Sequence, residues 1–183
     1  LQLPPNMTIN FMNQNLVERL MELKEVIDNP GRIPPLQTLT GYKPVKASSL
    51  FENRVEYLPE CAVDEDPNTR WLAQSSDSMP TLTVDLGAVK RFNTVVLYEP
   101  YNAHIQSFEI QYLKGDKWKT ISKGTGVGPK LTKQFQPVES QMIRMVITKY
   151  ITGENPYNVL SFPGAPPPVE GATISEFQVF NTD

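Results

Sequence analysis

The sequence holds very few of the residues on which disulfides, metal cages and most catalytic sites depend. Among its 183 residues there is one cysteine, Cys61, and one histidine, His104. A single cysteine excludes an intramolecular disulfide and a thiolate metal cage, and a single histidine excludes a two-histidine metal site. The chain is therefore poor in the usual catalytic residues.

An excess of basic charge and long apolar runs are also missing. The chain has 17 Lys and Arg against 20 Asp and Glu, a formal net charge of -3. This balance argues against a nucleic-acid partner, which would require a basic surface to displace counterions. No stretch approaches the roughly 20 apolar residues of a membrane-spanning helix. Residues 1–10 lack the basic start and the continuous apolar core of a secretion signal.

The first recognisable element is an amphipathic helix. Leu16, Leu20, Leu23 and Ile27 recur at three- and four-residue spacing, and charged residues occupy the opposite face. The stripe predicts a helix that packs against another part of a protein, because a lone short helix is marginal in water. Residues 30–45 are punctuated by proline and glycine and predict a linker.

From residue 46 the hydrophobic period changes to two. Apolar and polar residues alternate at 82–86, 108–112, 143–147 and 176–180, and residues 94–98 form a nearly continuous apolar run. Short alternating strands without helices between them predict an antiparallel sandwich or barrel.

Turn signals separate these strands, and two tryptophans lie within them. Residues 85–87 and 114–116 carry Asp and Gly at the ends of apolar runs and predict turns. Trp71 and Trp118 lie in strand contexts and are predicted to be part of the core.

Four ordered motifs carry a family resemblance. They are AVDEDPNTRW at 62–71, LTVDLG at 82–87, FEIQY at 108–112 and ISEFQVF at 174–180. In this order and spacing they resemble the discoidin or coagulation-factor type C family. The resemblance implies a mainly β fold, an antiparallel jelly-roll β-sandwich of the galactose-binding-like type that includes carbohydrate-binding module family 32, here preceded by an N-terminal helix.

A narrower resemblance points to a parent enzyme. VLYEP at 96–100, IQSFEI at 105–110 and WKTISKGTGVG at 118–128 are similar to the C-terminal region of bacterial α-L-fucosidases of glycoside hydrolase family 29. In those enzymes an arginine and a lysine often follow the glycine-rich turn, where this chain has Pro129 and Lys130.

The head of the chain fits the same family. LPPNM at 3–7 and VERLMEL at 17–23 resemble the end of its catalytic barrel and the final helix. The chain starts at Leu1 without a methionine, so it is interpreted as an excised or processed fragment. The predicted parts are the end of the barrel at 1–29, a Pro-rich linker at 30–45 and the discoidin-like β-sandwich at 46–183.

The function implied by the resemblance is non-catalytic. The chain would be an ancillary, carbohydrate-binding domain of a bacterial, secreted glycoside hydrolase that removes terminal α-L-fucose with retention, in an extracellular or periplasmic location. Its partners would be the catalytic barrel of the same parent chain and, weakly, a glycan. Two alternatives stay open: a free-standing module that recognises a glycan or a protein surface, and a structural brace without a ligand.

Four acids crowd the seven positions from Glu60 to Asp66, with no basic residue among them. Such a run is either a solvated loop or the site of a hard cation. The discoidin-like family usually has glycine where Glu65 stands, so this turn is predicted to place a non-glycine residue in the left-handed region.

The discoidin-like resemblance implies a structural Ca²⁺ at this loop. Its ligands would be carboxylates, a hydroxyl and main-chain carbonyls, supplied by Cys61, Asp64, Asp66, Thr69, Ser175 and Glu176. A glycosidase pair is not expected here, because retaining enzymes need two carboxyl groups roughly 5 Å apart across an open cleft, and carboxylates that hold a cation cannot also transfer protons. By the resemblance, the catalytic acids lie upstream of Leu1.

The residues that hold galactosides in the family are replaced in this chain. A histidine often follows the Arg-Trp pair and an arginine follows the next long strand, where this chain has Leu72 and Glu99. Sugars need an aromatic platform and charged hydrogen-bonding groups. The candidate replacements lie on two loops, one with Tyr98, Glu99, Tyr101, Asn102 and His104, the other a long Pro-rich loop with Tyr157, Asn158 and Phe162. The alternative for each aromatic is packing at the base of a loop, and for His104 a hydrogen-bonded surface imidazole.

Overall fold

A computed structural model describes residues 37–100, 104–151 and 171–182, together with Lys24. The chain divides into two compact units, Leu1–Leu36 and Gln37–Asp183. Lys24 is helical and exposed, and the rest of the predicted helix lies outside the described residues. The same is true of residues 101–103 and of residues 152–170 in the Pro-rich loop.

The described residues form a mainly β structure, as predicted. They contain three short 3-10 helices, Phe51–Asn53, Val55–Tyr57 and Pro59–Ala62, and eight strands. The strands are β1 Val45–Ala47, β2 Trp71–Leu72, β3 Thr81–Tyr98, β4 Ile105–Lys114, β5 Lys117–Gly124, β6 Leu131–Tyr150, β7 Thr173–Ile174 and β8 Glu176–Phe180. Their pairings are antiparallel. In this part of the chain no helix is long and apolar enough to span a bilayer.

Two long strands, β3 and β6, run through both layers of the sandwich. The main sheet has the order β1-β3-β6-β4-β5, β8 also pairs with β3, and β2 and β7 form a small separate sheet. Up to Asp85, β3 pairs with β1 and with the second part of β6. From Lys90 onwards the first part of β6 lies beside it, and β8 joins at Thr94. The register break between Asp85 and Lys90 therefore divides the sheet into a five-stranded layer and a three-stranded layer.

The break corrects one detail of the sequence analysis. Residues 85–87 were predicted to be a turn between two strands, whereas β3 continues through them and changes direction. Gly87 takes a φ of 80°, which glycine adopts without Cβ strain, and its N–H donates to Asp85 Oδ1 at 2.8 Å. The local turn chemistry is present, but the strand does not end there because β6 stays paired with β3 on both sides of the bend.

Side chains from both layers fill one core. Leu82 of the five-stranded layer and Val95 of the three-stranded layer belong to the same buried cluster. Full burial of a side chain of this size is worth about 1.5–3 kcal/mol. Trp71 is fully buried, as predicted, and its Nε1 donates to the carbonyl of Ser49 at 3.0 Å. This bond satisfies the one polar atom that the indole brings into the core.

The prediction for Trp118 is wrong. Trp118 is half-buried on β5, and the guanidinium carbon of Arg144 lies 4.2 Å from its ring centroid. Arg144 Nε donates to Gln111 Oε1 at 2.8 Å, which orients the guanidinium over the ring. Such a cation–π contact contributes about 0.5–1 kcal/mol at exposed sites. Trp118 therefore belongs to a polar network on the outer side of the five-stranded layer.

Candidate functional site

Four oxygen atoms converge on the hydroxyl of Thr69 in the acidic loop. Thr69 Oγ1 lies 3.2 Å from the carbonyl oxygen of Cys61, 3.0 Å from that of Asp66, and 3.0 and 2.8 Å from the two carboxylate oxygens of Asp64. A hydroxyl has one hydrogen, so it cannot satisfy all of these acceptors at once. The loop concentrates more acceptor oxygens than this donor can match, which favours a cation.

Glu176 adds a buried carboxylate to this region. It is 2% exposed, and its carboxylate oxygens form no hydrogen bond of good geometry with the described residues, although the side chains of Asp64 and Gln178 lie close to them. Burial, followed by the charge and the close carboxyl group of Asp64 and then by the charge of Glu65, raises the pKa of Glu176 to about 8, and the Gln178 side chain opposes the rise. An ionised carboxylate in such surroundings is costly unless a positive charge is close to it.

The turn between these acids has the predicted left-handed residue. Glu65 has a φ of 62°, in a region that glycine adopts more easily. Asp64 Oδ1 accepts a hydrogen bond of 3.0 Å from the N–H of Asp66, which closes the turn around Glu65. Ser175, the neighbour of Glu176, is buried, and its N–H donates to the carbonyl of Tyr98 at 2.9 Å.

The residues present fit a hard cation better than a transition metal. No group of three or more His, Cys, Asp and Glu side chains is arranged as metal ligands within residues 37–100, 104–151 and 171–182, so any cation here would depend largely on carbonyl and hydroxyl oxygens. The acidic loop and Glu176 instead offer carboxylates, a hydroxyl and carbonyls, the all-oxygen mixture that Ca²⁺ takes. Burial, then the charges of Asp64 and Glu60, raises the pKa of the Cys61 thiol, so that the thiol stays neutral and is a poor ligand.

The second candidate region is the end of the sandwich where β3 ends and β4 begins. Glu99, the residue after β3, is 2% exposed. Its Oε1 accepts hydrogen bonds from the backbone N–H groups of His104 at 2.6 Å and Ile105 at 2.9 Å, and its Oε2 accepts one from Gly128 at 3.0 Å. Burial raises the pKa of Glu99, and these backbone bonds oppose the rise. The carboxylate ties two loops together, and its role as a sugar ligand stays a prediction.

Tyr98 and His104 flank this carboxylate. The Tyr98 ring is half-buried, and Lys130 Nζ lies 5.6 Å from its centroid. His104 is 8% exposed, so it is not the surface imidazole considered as an alternative, and its Nδ1 has no hydrogen-bond partner among the described residues. Lys130 was not among the predicted site residues, although its place after the glycine-rich turn was a signal for it.

The other predicted sugar-binding residues lie outside the described part of the chain. The backbone nevertheless shows where their loops begin. The N–H of Ile151 donates to the carbonyl of His104 at 2.8 Å, so the end of β6 lies beside the start of β4. The residues concerned are Tyr101, Asn102, Tyr157, Asn158 and Phe162, and their role in binding stays a prediction.

One aromatic cluster was missed by the sequence analysis. The guanidinium carbons of Arg54 and Arg70 lie 5.4 and 5.1 Å from the ring centroid of Tyr57, and Phe51 meets the same ring edge-on at 6.0 Å. These residues are spread over about 20 positions without a regular period, so no pattern connects them. The cluster braces the segment between β1 and β2.

The sequence of this chain matches a protein family and a curated relative. Residues 44–162 match the family model of the F5/8 type C domain. A curated relative, "Putative alpha-L-fucosidase 1" of Oryza sativa subsp. japonica, is 25% identical over 153 residues, which make up 80% of this chain and 28% of the relative. The chain therefore spans little more than a quarter of the length of that relative.

Solved structures share the fold. The Ruminococcus gnavus GH29 fucosidase in complex with fucose matches over 93% of this chain and 31% of its own, with a TM-score of 0.66 and 18% identity. The family 32 carbohydrate-binding module of C. perfringens NanJ in complex with galactose matches over 76% of this chain and 94% of its own, with a TM-score of 0.60 and 19% identity. The predicted galactose-binding-like sandwich is thereby confirmed.

Proposed function

Because the chain belongs to the F5/8 type C domain family, we propose that it is a non-catalytic, carbohydrate-binding ancillary domain of a glycoside hydrolase. The parent would be an α-L-fucosidase-like enzyme that releases terminal α-L-fucose with retention. The names of the rice relative and of the GH29 neighbour support this parent, of which the chain would be the C-terminal part. A catalytic barrel in the same parent chain and an extracellular or periplasmic location belong to the same proposal.

The observation that carries the binding role is the loop end built around Glu99. The Glu99 carboxylate fixes the backbone at His104, Ile105 and Gly128. The half-buried Tyr98 ring precedes it in the sequence, and the Lys130 ammonium lies 5.6 Å from the centroid of that ring. An aromatic ring and convergent polar groups on a rigid support are what a sugar ring with hydroxyl groups requires.

The buried carboxylates support a non-catalytic role. Glu176 has a raised pKa of the kind found in general acids, but its burial keeps a substrate from reaching it. Glu99 is equally buried and holds backbone N–H groups. Asp64 shares its oxygens with Thr69 and Asp66. Neither buried acid can stand at the open cleft that retaining glycoside hydrolysis requires.

We also propose that the acidic loop binds a structural Ca²⁺. Carboxylates of Asp64 and Glu176 and the hydroxyl and carbonyl of Thr69 would hold it, together with carbonyls of Cys61, Asp66 and Ser175. The buried carboxylate of Glu176, which lies close to that of Asp64 and forms no hydrogen bond of good geometry with the described residues, supports this assignment. The ion would neutralise the two carboxylates and join the 61–69 loop to the start of β8, and it would take no part in a reaction.

Calorimetric titration with galactose, fucose and N-acetyllactosamine, together with a glycan array, tests the binding role. We expect saturable binding of at least one sugar, and a loss of about tenfold in affinity for Lys130→Met, because a charged hydrogen bond contributes roughly 1.5–3 kcal/mol. Tyr98→Ala should weaken binding as well. The control is Lys117→Met, which removes the same charge from an exposed position on β5. If no sugar binds, or if Tyr98→Ala leaves the affinity unchanged, the binding role at this loop end is wrong and the alternative of a structural brace without a ligand is favoured.

The sequence of the parent gene upstream of Leu1 tests the assignment to a fucosidase. An upstream barrel that carries the catalytic acids of that family supports it. A gene start directly before Leu1 would exclude it and would favour the free-standing module.

A further inference from the structure

A groove lies at one side of the sandwich, where β4, the end of β5 and both parts of β6 meet. Its volume is about 480 Å³, within the range of roughly 300–1,000 Å³ that is typical of small-molecule sites. Neither Tyr98, Glu99 and Lys130 nor the acidic loop contributes to its lining. The groove is therefore separate from both candidate sites described above.

One lysine of the groove has a partner. Lys123 Nζ lies 2.6 Å from Glu109 Oε1. Glu109 Oε2 also accepts hydrogen bonds from Thr120 Oγ1 at 2.8 Å and from Gln111 Nε2 at 2.9 Å. The bond from Lys123, followed by these two, lowers the pKa of Glu109 to about 2. The carboxylate is thus ionised over the whole physiological range and compensates the charge of Lys123.

The second lysine of the groove, Lys133, has no such partner. Lys133 lies on β6 between Leu131 and Phe135, whose side chains pack against the core, and it is half-buried. Among the described residues, no hydrogen bond or ion pair involves its ammonium group. The groove therefore contains one more positive charge than negative charges.

Hydroxyl groups and an apolar floor complete the groove. Ser107 Oγ and Thr148 Oγ1 lie 2.8 Å apart, so that one donates to the other and one hydroxyl hydrogen is left for a ligand. Thr125 adds a third hydroxyl. The Phe108 ring packs against Gly124, where a Cβ atom would collide with it. Hydroxyls and a cation match a sugar ring that carries an anionic group, and the buried Phe108 supports the groove from below.

The groove is lined mainly by residues from the basic segment of the chain. Residues 105–150, which contain β4, β5 and β6, include eight Lys and Arg but three Asp and Glu. The rest of the chain has nine basic and seventeen acidic residues. A cluster of one sign raises the local concentration of counter-ions and ligands of the opposite sign. The net charge of -3 for the whole chain therefore does not show that residues 105–150 are basic and the rest of the chain is acidic.

We propose that the groove is a second saccharide site, selective for a sugar unit that bears a carboxylate or a sulfate group. The ammonium of Lys133 binds the anionic group, and the hydroxyls of Ser107, Thr125 and Thr148 bind ring hydroxyls. The carbohydrate-binding role proposed above supplies the ligand class. Binding at the Tyr98 loop end is not required.

An NMR titration of the full ¹⁵N-labelled chain tests the proposal. The probes are glucuronic acid, galactose 6-sulfate, galactose and sodium sulfate at equal concentrations. We expect at least one anionic sugar to shift the backbone amides of Gly124 and Thr125 saturably, and galactose and sulfate to bind at least about tenfold more weakly. The two anionic sugars distinguish a carboxylate from a sulfate group.

Three variants separate a built site from diffuse attraction. Lys133→Met should weaken binding of the anionic sugar about tenfold or more, and Lys133→Arg should retain most of it. The matched control Lys117→Met removes one charge outside the groove and should change the affinity less than about twofold, because exposed charges at a distance are screened.

The proposal is overturned if neither anionic sugar shifts these amides, if galactose or sulfate binds equally well, or if Lys117→Met has the effect of Lys133→Met. Failure of the carbohydrate-binding role at the loop end has a different signature. In that case neutral sugars leave the amides of His104 and Ile105 unshifted, whatever happens at Gly124 and Thr125.

Discussion

Glu99 and Gly128 exchange two hydrogen bonds across the loop end of the sandwich. The N–H of Gly128 donates to Glu99 Oε2 at 3.0 Å, and the N–H of Glu99 donates to the carbonyl of Gly128 at 2.9 Å. Gly128 has a φ of 67°, a conformation that a residue with a Cβ adopts with strain. Backbone donors thus stabilise a carboxylate that burial has removed from water.

Replacing Glu99 by glutamine should lower the free energy of unfolding by about 2 kcal/mol, the cost of leaving buried groups unpaired. Both carboxylate oxygens of Glu99 accept hydrogen bonds from backbone N–H groups. Glutamine would replace one of these oxygens by an NH2 group, which only donates, so that one backbone N–H would lose its acceptor. Urea denaturation measures the change, and Glu139→Gln on the exposed side of β6 is the control, with a change within about 0.5 kcal/mol. A loss no larger than that of the control would show that the loops do not depend on this carboxylate.

Without divalent cations, stability should fall as the pH rises from 4.5 to 8. In this window folded Glu176 keeps a proton that the unfolded chain has lost, so the folded state binds more protons. Below 4.5 both states are protonated, and above 8 both are ionised. Burial raises the pKa of Glu99 too, so both acids act in the same direction. Melting temperatures in EDTA should show this slope, and Glu176→Gln should reduce it; an unchanged slope in the variant would contradict the assignment.

Addition of Ca²⁺ should raise the melting temperature, and more at pH 8 than at pH 5, because protons compete for Glu176. A ligand at a hundred times its Kd stabilises the folded state by about 2.7 kcal/mol. Asp64→Asn should abolish the effect, and Asp116→Asn, in the exposed turn between β4 and β5, should leave it intact. A melting temperature that neither Ca²⁺ nor a chelator changes would refute the cation site.

Glu65→Gly should have a free energy of unfolding about 1 kcal/mol above that of Glu65→Ala, since glycine adopts the left-handed conformation without Cβ strain and both variants lose the contacts of the Glu65 side chain. The variant also removes a negative charge near Glu176, which stabilises the folded state at neutral pH. Glu65→Ala is the matched comparison, because it removes the charge but keeps the strain. Equal stabilities of the two variants would contradict the strain at this position.

Hydrophobic alternation identified the strands whose inner side is entirely apolar, such as 108–112 and 143–147. It missed the first part of β6, where Lys133 takes an inward position between Leu131 and Phe135 and where Pro137 interrupts the pattern. It misplaced Trp118 because β5 is an edge strand in which Lys117 and Lys119 alternate with Trp118 and Thr120, and neither set is apolar throughout.

In the candidate sites, too, some features could be predicted from the local sequence and others depend on the folded chain. The proposed oxygen ligands between Cys61 and Thr69 are close in sequence, whereas the proposed ligand Glu176 lies on β8, which pairs with β3. The prediction that Glu176 joins this loop came from the family resemblance, because no local sequence pattern connects the two segments. The burial of Glu99 could not be predicted, because an acid in a loop beside a proline is ordinarily exposed. Its hydrogen bonds with the backbone N–H groups of His104, Ile105 and Gly128 form only in the folded chain.

The two strands shared by both layers have a mechanical consequence. The ladder between β3 and β6 extends from the pair Thr81–Val146 to the pair Leu97–Leu131, across the bend. Neither layer can slide or peel away without stretching backbone that also belongs to the other layer. Heat should therefore melt the sandwich in a single step, and a force applied along these strands would be distributed in shear over the whole ladder. Tension along β3 and β6 can therefore pass through the sandwich while its core stays closed.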